Sequence, residues 1–208
     1  MIRVLIVEDA PMDRQLLELY VRQSGKYELL PSVESAAFAE FCCRTSQVEL
    51  ILMDVCTALR INGIEIAKKI KVDFPNIKII IITGQPECSF IDRARKAGVD
   101  SFWYKKATTD TFLKIVERTL EGESVYPEHP WEVCLGKTTT GEISPREREV
   151  LTGVVCGATD EEIAQKLNVS LRTVKTHIQH MREKTGTRNR TELAVQARGS
   201  GFVIGELS

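Results

Sequence analysis

Apolar residues in the first 120 positions fall into short runs that alternate with helical periodicities. Ile2-Arg3-Val4-Leu5-Ile6-Val7 predicts a strand that stops at Glu8-Asp9. Pro11 suits the first turn of a helix that Leu16, Leu17, Leu19, Tyr20 and Val21 continue, and Gly25 ends it. Residues 27–33 predict a second strand and residues 36–43 a second helix. Leu50-Ile51-Leu52-Met53 is a buried-strand pattern, too short for a buried helix, and it runs straight into Asp54. A helix over residues 63–74 follows, with Ile64, Ile66, Ala67 and Ile70 on its apolar face. Residues 77–82 form the most strand-like segment of the chain and stop at Thr83-Gly84. Pro86 opens a fourth helix that runs to Ala97-Gly98, and residues 101–104 predict a fifth strand ending at Lys105. Thr108 or Thr109 caps a fifth helix containing Phe112, Leu113, Ile115, Val116 and Leu120.

This alternation predicts an α/β fold with a doubly wound, parallel five-stranded sheet. Ligands of such sheets sit beyond the carboxyl ends of the strands, where strand order switches. Glu8, Asp9, Asp54, Thr83 and Lys105 all fall at strand ends on that edge. Each alone reads equally well as a helix cap or a surface lysine; their coincidence on one edge does not. Three close carboxylates repel unless a cation lies among them, and a few hard oxygen ligands with room for water suit Mg²⁺. A hydroxyl and an ammonium on the far side suit the oxygens of a phosphoryl group. The predicted chemistry is reversible phosphoryl transfer onto Asp54 as an acyl phosphate.

Residues 121–141 break both periodicities. Gly122, Pro127, Pro130, Gly136 and Thr138-Thr139-Thr140 predict a connector, partly packed on a domain face through Tyr126, Trp131, Val133 and Leu135. Beyond it the pattern is helical. Ser144-Pro145-Arg146-Glu147 and Thr159-Asp160-Glu161-Glu162 are capping signatures. Asn168-Val169-Ser170 predicts a tight turn, and Ser170 caps a helix whose Leu171, Val174, Ile178 and Met181 face inward. Arg172, Lys175, Thr176 and Gln179 then form an outward stripe. Gly186 stops that helix, and Thr191 caps a last one with Leu193, Ala194, Val195 and Ala197. A short helix, a tight turn and a longer polar-basic helix predict a helix-turn-helix, whose second helix enters the DNA major groove.

Composition adds little until it is read locally. The 208 residues, 43% hydrophobic and 27% charged, suit a soluble protein of one large or two small domains. The net charge of -1 hides a basic stretch: residues 170–190 carry six Lys and Arg against Glu183 alone. Such an excess suits phosphate contacts, and the Lys, Thr and Gln of the stripe can read base edges. Six cysteines without a CxxC pair predict reduced thiols and a cytoplasmic protein, and no apolar run has membrane length. His129 reads as a packing or surface residue, as do His177 and His180, which have no carboxylate or cysteine partner for a metal.

The set Glu8-Asp9, Asp54, Thr83 and Lys105 resembles the receiver domain of two-component response regulators, over residues 1–121. The resemblance implies a flavodoxin-like fold in which Asp54 accepts a phosphoryl group from a histidine kinase. It further implies Mg²⁺ bound by Asp9, Asp54 and the backbone carbonyl of Cys56, with Glu8 helping through water. Thr83 and Lys105 would contact the phosphoryl group, and Phe102 matches the family's switch aromatic, which turns inward when Thr83 moves. Residues 122–140 are then the linker. Residues 141–208 are similar to the LuxR-type helix-turn-helix of the NarL/FixJ subfamily, an all-α four-helix module. The resemblance rests on the run from Ser144 to Leu151, Glu162-Ile163-Ala164, Thr173-Val174-Lys175-Thr176-His177 and Arg188-Asn189-Arg190-Thr191. It implies base-edge contacts from Lys175, Thr176 and Gln179, with Thr173, His177 and Lys184 nearer the backbone; Arg172 and Arg188 complete the set. Pairing of the last helix through Leu193, Val195 and Ala197 implies a homodimer on paired half-sites of double-stranded DNA.

One stretch departs from the family pattern. Receivers usually follow the aspartate with a Met-Pro-containing loop and a glycine eight positions on; here residues 55–62 contain no proline and the glycine is Gly63, the ninth. The departure bears on metal affinity and phosphorylation efficiency, while Cys56 and Gln85 occupy positions that tune dephosphorylation in the family. The expectation is a phosphorylation-controlled transcription factor, not an enzyme. A phosphorylation-independent regulator with a scaffold receiver is the alternative. A third reading, an Asp-nucleophile phosphohydrolase, needs an aspartate two residues after the nucleophile, where Cys56 stands.

Overall fold

The computed structural model of the chain describes residues 1–85, 89–105, 109–128 and 132–201. They divide into two compact units, one formed by Met1–Gly84 with Ser89–Glu128 and the other chiefly by residues beyond 128. The first unit runs β1 (Ile2–Val7), α1 (Pro11–Gln23), β2 (Tyr27–Leu29), α2 (Ala39–Thr45), β3 (Leu50–Asp54), β4 (Cys56–Thr57) and β5 (Ile61–Asn62). It continues through α3 (Gly63–Asp73), β6 (Lys78–Thr83), α4 (Ser89–Lys96), β7 (Ser101–Tyr104) and α5 (Thr109–Leu120).

Five of these strands pair in parallel in the order β2-β1-β3-β6-β7. Side chains alternate across a strand, so each face of the sheet needs its own cover. Val4, Ile6, Leu50, Leu52, Ile80, Ile82 and Trp103 share one core with Leu17 and Val21 of α1 and Phe112, Ile115 and Val116 of α5. The alternate residues Leu5, Ile51, Met53, Ile79, Ile81 and Phe102 are equally buried on the other face. Both sides being apolar explains why the strands read as continuous hydrophobic runs. The order reverses at β1, so the crevice beyond the carboxyl ends of β1 and β3 is the switch point.

Several predicted elements shift in detail. Leu17 and Val21 carry the buried face of α1, while Leu16 and Leu19 are exposed. The second strand keeps only Tyr27–Leu29, with Val33 rejoining the sheet through a lone bridge to Val7. The second helix opens as a 3₁₀ turn, Ala36–Phe38, because Ser35 caps it by accepting from the Ala37 amide. The predicted helix starts at Pro86 and Thr108 lie outside the described residues, as do Cys88, His129, Pro130 and Trp131.

The second unit runs β8 (Cys134–Leu135), β9 (Thr138–Thr139), α6 (Pro145–Val155), α7 (Asp160–Leu167), α8 (Leu171–Thr185) and α9 (Arg190–Gly199). Ser144 and Thr159 form full capping boxes with Glu147 and Glu162. Asn168 takes the left-handed conformation that ends α7, and Ser170 caps α8 two residues later. Val150, Leu151, Val154, Ile163, Val174, Ile178 and Met181 close one core, which Leu193 and Ala197 of α9 complete. The cap of α9 is Asn189, not Thr191: its side chain accepts from the Glu192 amide, which starts the helix at Arg190. A small hairpin, β8–β9, lies within the predicted connector and buries Leu135 in this core. No helix among the described residues is long and apolar enough to cross a membrane.

Candidate phosphoacceptor site and DNA-binding face

β3 carries Asp54 to the switch point as its last residue, and β1 delivers Glu8 and Asp9 just past its end. Carboxylate oxygens of Glu8, Asp9 and Asp54 lie within 4.8 Å of one another. Glu8 is fully buried, Asp54 is 6% exposed and Asp9 is open to solvent. Burial, reinforced by Glu8 and Asp9, pushes the Asp54 pKa up to about 7 against the pull of Lys105. Burial also raises Glu8, although Lys105 and the Ala10 amide oppose it. Lys105 follows β7, with its ammonium 2.6 Å from Glu8 Oε2, 2.8 Å from Asp13 Oδ2 and 3.7 Å from Asp54 Oδ1. Burial works against its charge, but Asp54, Asp13 and Glu8 outweigh burial and hold its pKa above the ordinary value.

Glu8 Oε2 is buried and meets the Lys105 ammonium at 2.6 Å. Three carboxylates this close, with Asp54 pushed toward neutrality, fit a hard divalent cation. Thr83 ends β6 fully buried, and Lys105 donates its amide to the Thr83 carbonyl at 3.0 Å. Phe102 is buried on β7, edge-on to Tyr104 and stacked 6.3 Å from Tyr126. Its ring is already inward.

The atypical loop after Asp54 is built around a tight hairpin. Cys56 pairs with Asn62 and Thr57 with Ile61 in antiparallel register. Leu59 and Arg60 make the turn at φ 63° and 57°, the left-handed region that side-chain-bearing residues seldom adopt. Thr57 Oγ1 accepts from the Ala36 amide and donates to the Ile61 carbonyl. Ser35 donates to the Ala58 carbonyl, and the Ala58 amide donates to that of Glu34. The extra residue is thus absorbed in the turn, and Gly63 still reaches Asp54. Its amide donates to the Val55 carbonyl at 2.8 Å, and a Cβ there would lie 1.9 Å from the Asp54 carbonyl oxygen. Only glycine fits this approach.

On α8 the predicted stripe of Arg172, Lys175, Thr176 and Gln179 is exposed, while Thr173 and His177 are half-buried. Gln179 donates to Glu183, and Thr173 shares a hydrogen bond with the capping Ser170. Lys184 has an internal role: it bonds the carboxylate of Glu147, at 2.8 Å, and the Glu142 carbonyl. Arg188 is exposed and pairs with Glu192. Of the residues predicted to pair subunits, Leu193 and Ala197 are fully buried in the unit's own core, which leaves Val195, 65% exposed, to offer a surface. Not foreseen from the sequence are Asp13 and the pairing of Glu147, expected only as a capping residue, with Lys184. Asp13 lies one helical turn past Asp9 in the first turn of α1, a spacing that could have signalled it.

Comparison with known proteins agrees with both units. The response regulator receiver domain model matches residues 4–117, and the model of the luxR family of bacterial regulatory proteins matches residues 142–197. Response regulator protein VraR of Staphylococcus epidermidis is 30% identical over 201 residues, covering 94% of this chain and 96% of that protein. VraR of Staphylococcus aureus matches with the same identity and coverage. A solved structure of two RcsB dimers bound to two parallel DNAs superposes with a TM-score of 0.64 at 20% identity, covering 94% of this chain and 97% of that one. RcsB of Salmonella enterica serovar Typhimurium, bound to promoter rprA in the presence of phosphomimetic BeF3⁻, gives 0.63 at 20% identity, covering 94% and 98%. The response regulator ChrA of a heme-sensing two-component system gives 0.52 at 22% identity, covering 95% and 96%. The chain belongs to the response regulators that join a receiver domain to a luxR-type DNA-binding domain. These are DNA-binding transcription factors, not enzymes, which sets the phosphohydrolase reading aside.

Proposed function

We propose that Asp54 is the phosphoacceptor of this regulator and that a histidine kinase supplies the phosphoryl group. The observation that carries the reading is the gathering of Glu8 and Asp9 within 4.8 Å of Asp54, with the Lys105 ammonium 3.7 Å away. An Asp54 carboxylate oxygen attacks phosphorus, the bond to the donor histidine nitrogen breaks, and an acyl phosphate results. The Thr83 hydroxyl and Lys105 ammonium hold the phosphoryl oxygens. Asp9, Asp54 and the Cys56 carbonyl, with Glu8 through water, would hold Mg²⁺. When bound, the ion supplies charge neutralisation for the phosphoryl group. The hairpin that keeps Gly63 under Asp54 supports a working acceptor despite its unusual sequence.

The receiver occupies residues 1–121 and the DNA-binding module residues 141–208. The connector 122–140 contributes to both: the Phe102 amide donates to the Val125 carbonyl, and Leu135 enters the second core. Lys175, Thr176 and Gln179 read base edges, Arg172, Thr173, His177 and Arg188 approach the phosphates, and Lys184 acts by bracing α8. Two copies bind paired half-sites, a reading supported by the likeness to RcsB, whose dimers are bound to DNA, with Val195 contributing to the shared surface. Selection of DNA from a random pool, with and without a small phosphodonor and Mg²⁺, tests the reading. Enrichment that strengthens with phosphodonor in the wild type and not in Asp54→Asn is expected. Equal enrichment under both conditions favours the phosphorylation-independent alternative.

A further inference from the structure

The phosphoacceptor reading makes no use of Asp13, yet Asp13 makes one of the short contacts of Lys105. An ammonium has three N–H groups to share. Here it lies 2.8 Å from Asp13 and 2.6 Å from Glu8, and stands back from Asp54 at 3.7 Å, beyond hydrogen-bond reach. Asp13 reaches it from the first turn of α1, which Pro11 opens. That turn is fixed on its other side, where Arg14 donates to the Glu8 carbonyl at 3.1 Å and to Glu34 at 3.0 Å. The carboxylate is therefore held where it meets the lysine.

We infer that Asp13 is a positioning residue for phosphoryl transfer, which holds the Lys105 ammonium off Asp54 until a phosphoryl group takes it. The inference rests on the phosphoacceptor reading. To contact a phosphoryl group on Asp54, Lys105 must exchange the Asp13 carboxylate for a phosphoryl oxygen, so Asp13 competes with the bound state. Its side chain is 43% exposed, against 16% for Lys105, so solvent moderates the competition. A charge-assisted contact of that kind corresponds to roughly three- to tenfold in affinity.

Full-length wild type, Asp13→Asn and Asp13→Glu are titrated calorimetrically with beryllofluoride at saturating Mg²⁺, and separately with Mg²⁺ alone. Asp13→Asn should bind beryllofluoride about three- to tenfold more tightly than wild type, Asp13→Glu should stay within about twofold of it, and Mg²⁺ affinity should not rise. If Asp13 serves only as an acidic residue in the first helical turn, Asp13→Asn lowers the melting temperature and leaves beryllofluoride affinity within twofold, which overturns the proposal. A parallel rise in Mg²⁺ and beryllofluoride affinity also overturns it. Wild type that binds no beryllofluoride overturns the phosphoacceptor reading and this proposal together. Wild type that binds while Asp13→Asn matches it overturns the proposal alone.

Discussion

Asp54→Asn should change how the stability of the first unit depends on pH and should abolish its response to Mg²⁺. Burial, with Glu8 and Asp9 beside it, lifts the Asp54 carboxyl from 3.8 to about 7 in the folded protein. The folded state keeps this proton over a range in which the unfolded chain has released it, so stability falls as pH rises from about 4 to 7. At about 1.4 kcal/mol per pH unit, the separation of the two values sets a ceiling of about 4 kcal/mol by pH 8. Between pH 5 and pH 8 the wild type should lose up to about 2–3 kcal/mol that Asp54→Asn retains. Urea unfolding in EDTA, read from exchange protection of β3 and β6 amides across that range, measures the difference. Mg²⁺ at ten times its Kd should restore about 1.4 kcal/mol to the wild type and nothing to Asp54→Asn. Parallel pH profiles would show that Asp54 is not the group that titrates, and Mg²⁺ stabilisation that survives in Asp54→Asn would place the ion elsewhere.

Other consequences follow from single contacts. Gly63→Ala puts a Cβ against the Asp54 carbonyl and Met53. It should cost about 2 kcal/mol or more in urea unfolding and weaken Mg²⁺ binding measured by titration. Glu147→Gln breaks the half-buried pair with Lys184 and weakens the α6 capping box, and should cost about 1–2 kcal/mol in thermal unfolding near neutral pH. Even with its burial opposing, hydrogen bonds from Lys184 and Ser144 hold the Glu147 pKa below its ordinary value. That cost should therefore fade as the solution is acidified through the folded pKa. Lys175→Ala should leave circular dichroism unchanged and relax sequence preference at one base position, at a cost of about 1–3 kcal/mol; uniform weakening at every sequence with a salt dependence flattened by about one unit would contradict the base-edge assignment.

The parts of the molecule legible in the sequence are those set by local pattern. Apolar runs ending in polar residues located the strands and put Glu8, Asp9, Asp54, Thr83 and Lys105 on one edge, because a parallel sheet places every strand end on the same side. Ser144, Thr159 and Ser170 announced their helices through capping chemistry that acts over three residues. What was not legible depends on long-range approach. Asp13 and Lys105 are 92 residues apart, and only the folded sheet brings them together. Leu193 and Ala197 share the apolar pattern of a dimer face, and periodicity alone does not reveal whether such a face meets its own core or another copy. The residues 55–62 looked like a defect because their spacing differs by one; two left-handed residues, Leu59 and Arg60, take up the difference without any glycine or proline to mark the turn. Lys184 reads as one more basic residue until Glu147 is found beneath it.

Phosphorylation of Asp54, within this hairpin-backed carboxylate cluster, is the step on which the proposed regulation depends. Intact-mass measurement of the full chain after incubation with a small phosphodonor and Mg²⁺ tests it most directly. One phosphoryl adduct is expected on the wild type, removed by hydroxylamine as an acyl phosphate is, and none on Asp54→Asn. A wild type that gains no mass where a control receiver does, or an adduct that persists in Asp54→Asn, would contradict it.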